Sequence, residues 1–192
     1  LLGQSVAAWG PARRRALGLH FVPEERLGRG AVPELSLAQN ILLTRTESLG
    51  PWGWIRGAQL ASQARDILTR FQVKARGEGA LARSLSGGNL QKFIVGREIS
   101  ADPRVLIIAQ PTWGVDVGAA AQIRGELLRL RDAGCAVLLV SEELDELLEL
   151  SDRIQVMAGG RLSPPLGRDQ ATPELIGEWM SGLWSGGTHV AL

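Results

Sequence analysis

The chain has 192 residues, 45% of them hydrophobic and 21% charged, which suits one globular domain with a sizeable core. Its 21 Lys and Arg against 20 Asp and Glu leave a formal charge of +1, so no broad basic or acidic field marks a nucleic acid or an acidic membrane as partner. One cysteine, Cys135, excludes an internal disulfide framework; with two histidines, His20 and His189, no zinc cluster is expected, and no apolar run approaches the ~20 residues of a bilayer-spanning helix.

Leu1-Leu2-Gly3-Gln4 carries neither a methionine nor a basic region followed by an apolar core, and the expectation is a polypeptide that continues upstream. The stretch to Arg15 is weakly patterned, and Arg13-Arg14-Arg15 reads as a solvated face. Residues 17–22 form a short apolar run stopped by Pro23, a strand with His20 as a packed side chain. Residues 24–33 are charged and glycine-bearing, an exposed loop. Residues 35–44 read as a helix with Ser36 as N-cap, 49–54 as a turn-rich break, and 58–71 as a helix whose Leu60, Ala64, Ile67, Leu68 and Phe71 recur at three- and four-residue steps.

From there the texture changes. Helices are expected at 89–100, 118–131 and 142–150, and strands at 104–109, 135–140 and 152–157. Continuous apolar strands alternating with helices predict a parallel α/β sheet covered on both faces, with right-handed crossovers. Gly159-Gly160 turns into a short strand at 161–162, 173–180 closes as a helix, and 182–192 reads as frayed tail. Cys135 begins a buried strand with no His or Asp beside it, which argues against a nucleophile. The acidic run Glu142, Glu143, Asp145, Glu146 and Glu149 reads as a solvated helix face.

Residues 85–92 read Leu-Ser-Gly-Gly-Asn-Leu-Gln-Lys. A serine and two glycines stand just ahead of a helix, where exposed N–H groups and the positive end of the helix dipole favour an anion. On these residues alone, a phosphate site and a simple helix cap are equally good readings. Residues 105–112, Val-Leu-Ile-Ile-Ala-Gln-Pro-Thr, and 114–119, Gly-Val-Asp-Val-Gly-Ala, follow one helix and a tight turn later.

With these three motifs in order, the chain resembles the nucleotide-binding domain of ABC transporters over roughly residues 17–157. Residues 85–92 match that family's signature in the form common in sugar and nucleoside importers, Val105 to Thr112 its Walker B strand with the following Pro-Thr, and Gly114 to Asp116 its D-loop. The resemblance implies a P-loop NTPase, RecA-like α/β core with a mostly parallel sheet and a helical subdomain. It divides the chain into an N-terminal core remnant with the Q-loop region (1–34), the helical subdomain (35–84), the signature helix and α/β core (85–182), and a tail (183–192).

The departures are as informative. The family ends its Walker B strand in Asp and Glu, which support magnesium and polarise the attacking water; here stand Ala109 and Gln110. Alanine offers magnesium no oxygen, and glutamine accepts a hydrogen bond from water but takes no proton. The family's switch histidine falls on Glu142, whose carboxylate repels a γ-phosphate. The Q-loop glutamine is replaced by Pro23 with Glu24 beside it. No Gly-x-x-x-x-Gly-Lys-[Ser/Thr] loop occurs, and neither lysine, Lys74 or Lys92, follows one.

These losses resemble the second, degenerate domain of ATP-binding subunits in carbohydrate-type importers, the Pro23 to Arg26 segment and the Ala-Gln ending standing closest to the nucleoside or simple-sugar branch. The resemblance implies no catalytic residue and no metal ligand of this chain's own. It implies that Ser86, Gly87, Gly88 and Asn89 contact ATP held in trans by a partner domain, with Asp116 at the interface, where its alternative is a plain helix cap. Trp113 is an interface anchor or an ordinary half-buried residue, and Trp52 and Trp54 are a permease-contact surface or core. Implied cofactors are ATP and Mg2+ in the full transporter, with none bound and no ATPase activity expected in the isolated chain. Implied partners are the first nucleotide-binding domain of the same subunit, the membrane permease and, through it, a solute-binding lipoprotein, at the cytoplasmic face of the membrane. Two rivals remain. A soluble ABC ATPase clamping nucleic acid is disfavoured by the near-neutral charge, and a non-catalytic scaffold has no need of an intact signature.

Overall fold

The computed structural model describes residues 1–45 and 55–184, with the backbone of 188–189, and the expected roles of Trp52 and Trp54 lie outside these residues. The chain divides into two compact units, 1–140 and 141–192, a boundary that falls inside the 85–182 segment.

The first unit is built on three strands, β1 (Leu19–Val22), β2 (Val105–Ala109) and β3 (Ala136–Val140), paired in parallel in the order β1-β2-β3. The register sets Phe21 against Ile107 and Ile107 against Leu138. Successive strand residues face opposite sides, and the sides differ. Val22, Leu106 and Ile108 are fully buried, whereas Phe21 is 47%, Leu138 56% and Val140 52% exposed. Among the described residues of this unit one face of the sheet is therefore covered, where both were expected to be.

Among the described residues five α-helices accompany the sheet: α1 (Pro11–Ala16), α2 (Leu37–Leu42), α3 (Gly57–Arg70), α4 (Gly87–Ile99) and α5 (Val117–Asp132). Ser36 caps α2 in a reciprocal box, accepting from Gln39 N–H at 3.1 Å while Gln39 Oε1 accepts from Ser36 N–H at 2.9 Å. The α3 stripe behaves as its periodicity predicts, with Leu60, Ala64 and Ile67 buried. In α4 every residue from Leu90 to Ile99 is buried, because the helix packs against α3, α5 and β1 at once. Gly96 permits the α3 contact: a Cβ there would lie 2.6 Å from Phe71 Cδ2. Of the described residues between 35 and 84, none forms an extended strand.

Among its described residues the second unit holds α6 (Leu144–Leu150), α7 (Pro173–Met180) and five two-residue strands: β4 (Arg153–Ile154), β5 (Met157–Ala158), β6 (Arg161–Leu162), β7 (Leu166–Gly167) and β8 (Thr188–His189). The strand expected at 152–157 is broken, β4 pairing with β7 and β5 with β6. Between them Val156 N–H donates to the Ser163 hydroxyl at 2.9 Å, a side-chain bond in place of a ladder bond. Within the 182–192 segment, expected as tail, Thr188 and His189 pair with β6 as β8. Ile154, Val156 and Ile176 form the core of this unit. Glu146 is fully buried, so the acidic run is not a uniformly solvated face.

Candidate functional site

Ser86 precedes α4 with extended backbone (φ −64°, ψ 154°), and α4 begins at Gly87, two residues earlier than the apolar pattern indicates. The Ser86 side chain makes no capping hydrogen bond. Ser86 and Gly87 are exposed and Gly88 half-buried. Ser86 thus holds the N-cap position without spending its hydroxyl on a capping bond, and that hydroxyl stands at a solvent-facing helix N-terminus. Asn89 Oδ1 accepts from Lys74 N–H at 2.8 Å, and its Nδ2 donates to Ser86 Oγ at 2.9 Å.

The signature turn lies against residues 113–115. A Cβ on Gly88 would approach Gly114 O to 3.2 Å, so glycine allows this contact. Asp116 is exposed and caps α5, accepting from Ala119 N–H at 2.9 Å. That bond, more than any charge, holds its carboxyl below the usual range. Trp113 is 59% exposed beside it.

Arg26, which the sequence reading left without a role, joins these parts. Its Nη2 donates to Trp113 O, and its Nε donates to Gln91 Oε1 at 3.1 Å. Gln91 in turn donates through Nε2 to Pro111 O at 3.1 Å and Gln110 O at 3.3 Å. A Cβ on Gly87 would meet Arg26 Nη1 at 2.8 Å. Burial lowers the Arg26 pKa from its ordinary value. One guanidinium thus links the 23–30 loop, the signature turn, the end of β2 and the turn after it. In the sequence it stands out only as the end of the Pro23 to Arg26 segment, which marks a family branch and gives no sign of these contacts.

Gln110 ends β2 with its N–H donating to Val140 O at 2.8 Å and with φ +48°, a left-handed conformation that is strained for glutamine. Ala109 and Gln110 bring no carboxylate to this strand end, and among the described residues no group of three or more His, Cys, Asp or Glu is placed to hold a metal. The strand end of this chain therefore does not fit magnesium. Glu142 belongs to the second unit.

Beneath the signature turn, α4 carries a buried ionic cluster. Arg97 Nε donates to Glu98 Oε1 at 2.9 Å, and Arg97 also donates to Gly30 O at 2.8 Å and Asn40 O at 3.2 Å. Glu98 Oε2 takes Arg15 Nη1 at 3.0 Å and His20 Nδ1 at 2.8 Å. Burial pushes the Glu98 carboxyl up, but the His20 hydrogen bond and the charges of Arg97 and Arg15 outweigh it and hold the group at about 2. As an ionised carboxylate only accepts, His20 Nδ1 carries the hydrogen. Arg15 therefore belongs to this cluster, not to a solvated face, and Arg13 stacks its guanidinium 3.5 Å from the centre of the Trp9 ring. His20 is the packed side chain expected. Cys135 is buried, its thiol pKa raised by burial.

A cleft of about 810 Å³ opens between β1, the 23–30 loop and the end of α2, lined among others by Phe21, Glu24, Arg29, Leu43, Thr44 and Trp113.

No family model matches the chain. Among curated proteins, the ribose import ATP-binding protein RbsA 1 of Rubrobacter xylanophilus is 38% identical over 99% of this chain and 38% of its own length. The guanosine import ATP-binding protein NupO of Bacillus subtilis is 38% identical over 95% of the chain and 36% of its own. The nucleoside import ATP-binding protein NupA of Lactococcus lactis is 41% identical over 84% of the chain and 32% of its own. The chain belongs to the ABC-type ATP-binding cassettes.

Solved structures agree on the fold of this cassette. An ATP-binding subunit of an ABC transporter superposes with a TM-score of 0.72 at 19% identity, covering 94% of this chain and 75% of that one. The cassette MJ1267 gives 0.68 at 21% identity, covering 94% and 74%. The fold class expected from the motifs, an ABC-type P-loop NTPase with a mostly parallel sheet, is the one observed. The cassette spans a little over a third of the length of the curated relatives it matches.

Proposed function

We propose that this cassette serves an importer of simple sugars or nucleosides by completing, in trans, an ATP site whose phosphate loop and catalytic carboxylates lie on a partner domain, its own site being hydrolytically silent. The observation that carries this reading is the Ser86 hydroxyl, exposed ahead of α4 and unused as a helix cap. With the N–H groups of Gly87 and Gly88 at the positive end of the helix, it presents donors to a phosphate. Ala109 and Gln110 support the silence of the second site, since neither supplies magnesium with a carboxylate or water with a base. Glu142 in the switch position adds a charge of the wrong sign.

The partner domain brings ATP and Mg2+, and residues 113–117, with Trp113 and Val117 59% and 87% exposed, offer it an apolar contact beside the signature. The cleft beside β1 and α2 is the place for a permease helix at the cytoplasmic membrane face, and a solute-binding lipoprotein acts through that permease. Among the described residues no helix is long and apolar enough to cross a membrane. The test is turnover of the complete transporter carrying Ser86→Ala. The reading predicts a fall of about tenfold or more in ATP hydrolysis, the scale of one lost phosphate donor; unchanged turnover contradicts it.

A further inference from the structure

We infer that Asn89 is a positioning residue that aims the Ser86 proton outward, an inference that rests on the in-trans role of Ser86 proposed above. A backbone N–H only donates, so the Asn89 atom facing Lys74 N–H at 2.8 Å is the carbonyl oxygen Oδ1. That fixes the amide, and Nδ2 faces Ser86 Oγ at 2.9 Å as a donor. Ser86 Oγ therefore accepts from Asn89, and its own hydrogen is directed elsewhere. The oxygen accepts no backbone N–H of the first helical turn, so Asn89 is the donor it holds, and the hydroxyl hydrogen is left to the exposed side. The exposed face of the hydroxyl is thus held as a donor, the polarity a phosphate oxygen requires.

The same amide ties this polarity to the helical subdomain. Lys74 follows α3, and the adjoining Gln72, in a left-handed conformation (φ +49°), has its carbonyl held by Lys92 Nζ at 2.8 Å. Two side chains of α4, Asn89 and Lys92, therefore grip the 72–74 turn. Asn89 acts on ATP through Ser86 and not by touching the nucleotide.

The experiment compares Ser86→Ala, Asn89→Ala, Asn89→Asp and the double variant Ser86→Ala/Asn89→Ala in the complete transporter, with kcat and KM for ATP and the thermal midpoint of each. If Asn89 works through Ser86, each alanine variant loses about ten- to a hundredfold in kcat, and the double variant loses no more than Ser86→Ala alone. Asn89→Asp is worse than Asn89→Ala, because a carboxylate keeps the Lys74 bond yet turns the Ser86 proton inward. A purely structural role predicts the reverse order, with Asp milder than Ala, and would overturn the inference. So would a double variant whose loss is the product of the singles, or a normal Asn89→Ala beside a crippled Ser86→Ala. Normal turnover in Ser86→Ala defeats the in-trans reading itself.

Discussion

Glu98 and His20, 78 positions apart in the chain, meet at 2.8 Å with both side chains buried, and this contact fastens the signature helix to the first strand of the sheet. Arg97 extends the tie to Gly30 and Asn40, so one pair of adjacent residues on α4 holds the 23–30 loop and α2 as well.

Removing Glu98 leaves Arg97, Arg15 and His20 around a cavity without their acceptor. Breaking one partner of such a buried cluster costs about 3–5 kcal/mol. Glu98→Ala in the complete subunit is expected to lower the denaturation midpoint accordingly, read by chemical or thermal unfolding; a midpoint matching wild type would refute the role given to the cluster.

The same carboxylate has a defined pH signature. Its folded value of about 2 lies below the ordinary 4.5, so its contribution is complete above about pH 4.5 and is lost as pH falls from there toward 2. The stability gap between wild type and Glu98→Gln therefore narrows across that window. Unfolding curves at stepped pH measure it, and a gap that stays constant down to pH 2 rules out this carboxylate as the source.

How far the fold was readable follows the kind of force involved. β1, β2, β3 and α3 were legible because apolar periodicity records burial directly, whereas Asp116, expected first at an interface with a helix cap as the alternative, is seen to cap α5. The α4 start was misplaced by two residues because Gly87 and Gly88 are poor helix formers in isolation, and the packing of Gly87 against Arg26 and of Gly88 against Gly114 and Val115 is invisible in the sequence. Arg15, Arg97, Glu98 and Glu146 were not legible as core, since a buried charge looks like a surface charge until its partners, remote in sequence, are brought to it. β8 has only two residues, too few for a period to show. Of the site, Ser86 to Gly88 was readable from the motif, whereas Arg26 emerged only from contacts that span 65 and 87 positions.

Arg26 supplies two hydrogen bonds from different nitrogens to groups on different segments, a geometry that lysine does not reproduce. Arg26→Ala and Arg26→Lys are therefore both expected to slow ATP turnover of the complete transporter by about tenfold, through loosening of the signature turn against residues 113–115. Lysine restoring wild-type turnover would show that only the charge matters.

Phe21, Leu138 and Val140 form an exposed apolar strip across the parallel sheet. Taken alone in water, the 192-residue polypeptide is expected to self-associate through it. Light scattering should show concentration-dependent assembly, reduced when Phe21→Lys and Leu138→Lys are combined; a monomer at every concentration would mean the strip is covered.

The central claim is that the turn from Ser86 to Gly88 lies on the γ-phosphate of ATP bound elsewhere. ATP carrying a photoreactive group on its γ-phosphate, irradiated on the complete subunit and followed by peptide mapping, tests this most directly. Labelling of the peptide that contains Ser86, lost in the presence of excess ATP, is the predicted result. Labelling that spares this peptide while marking the segment around Ala109 and Gln110 would contradict the account.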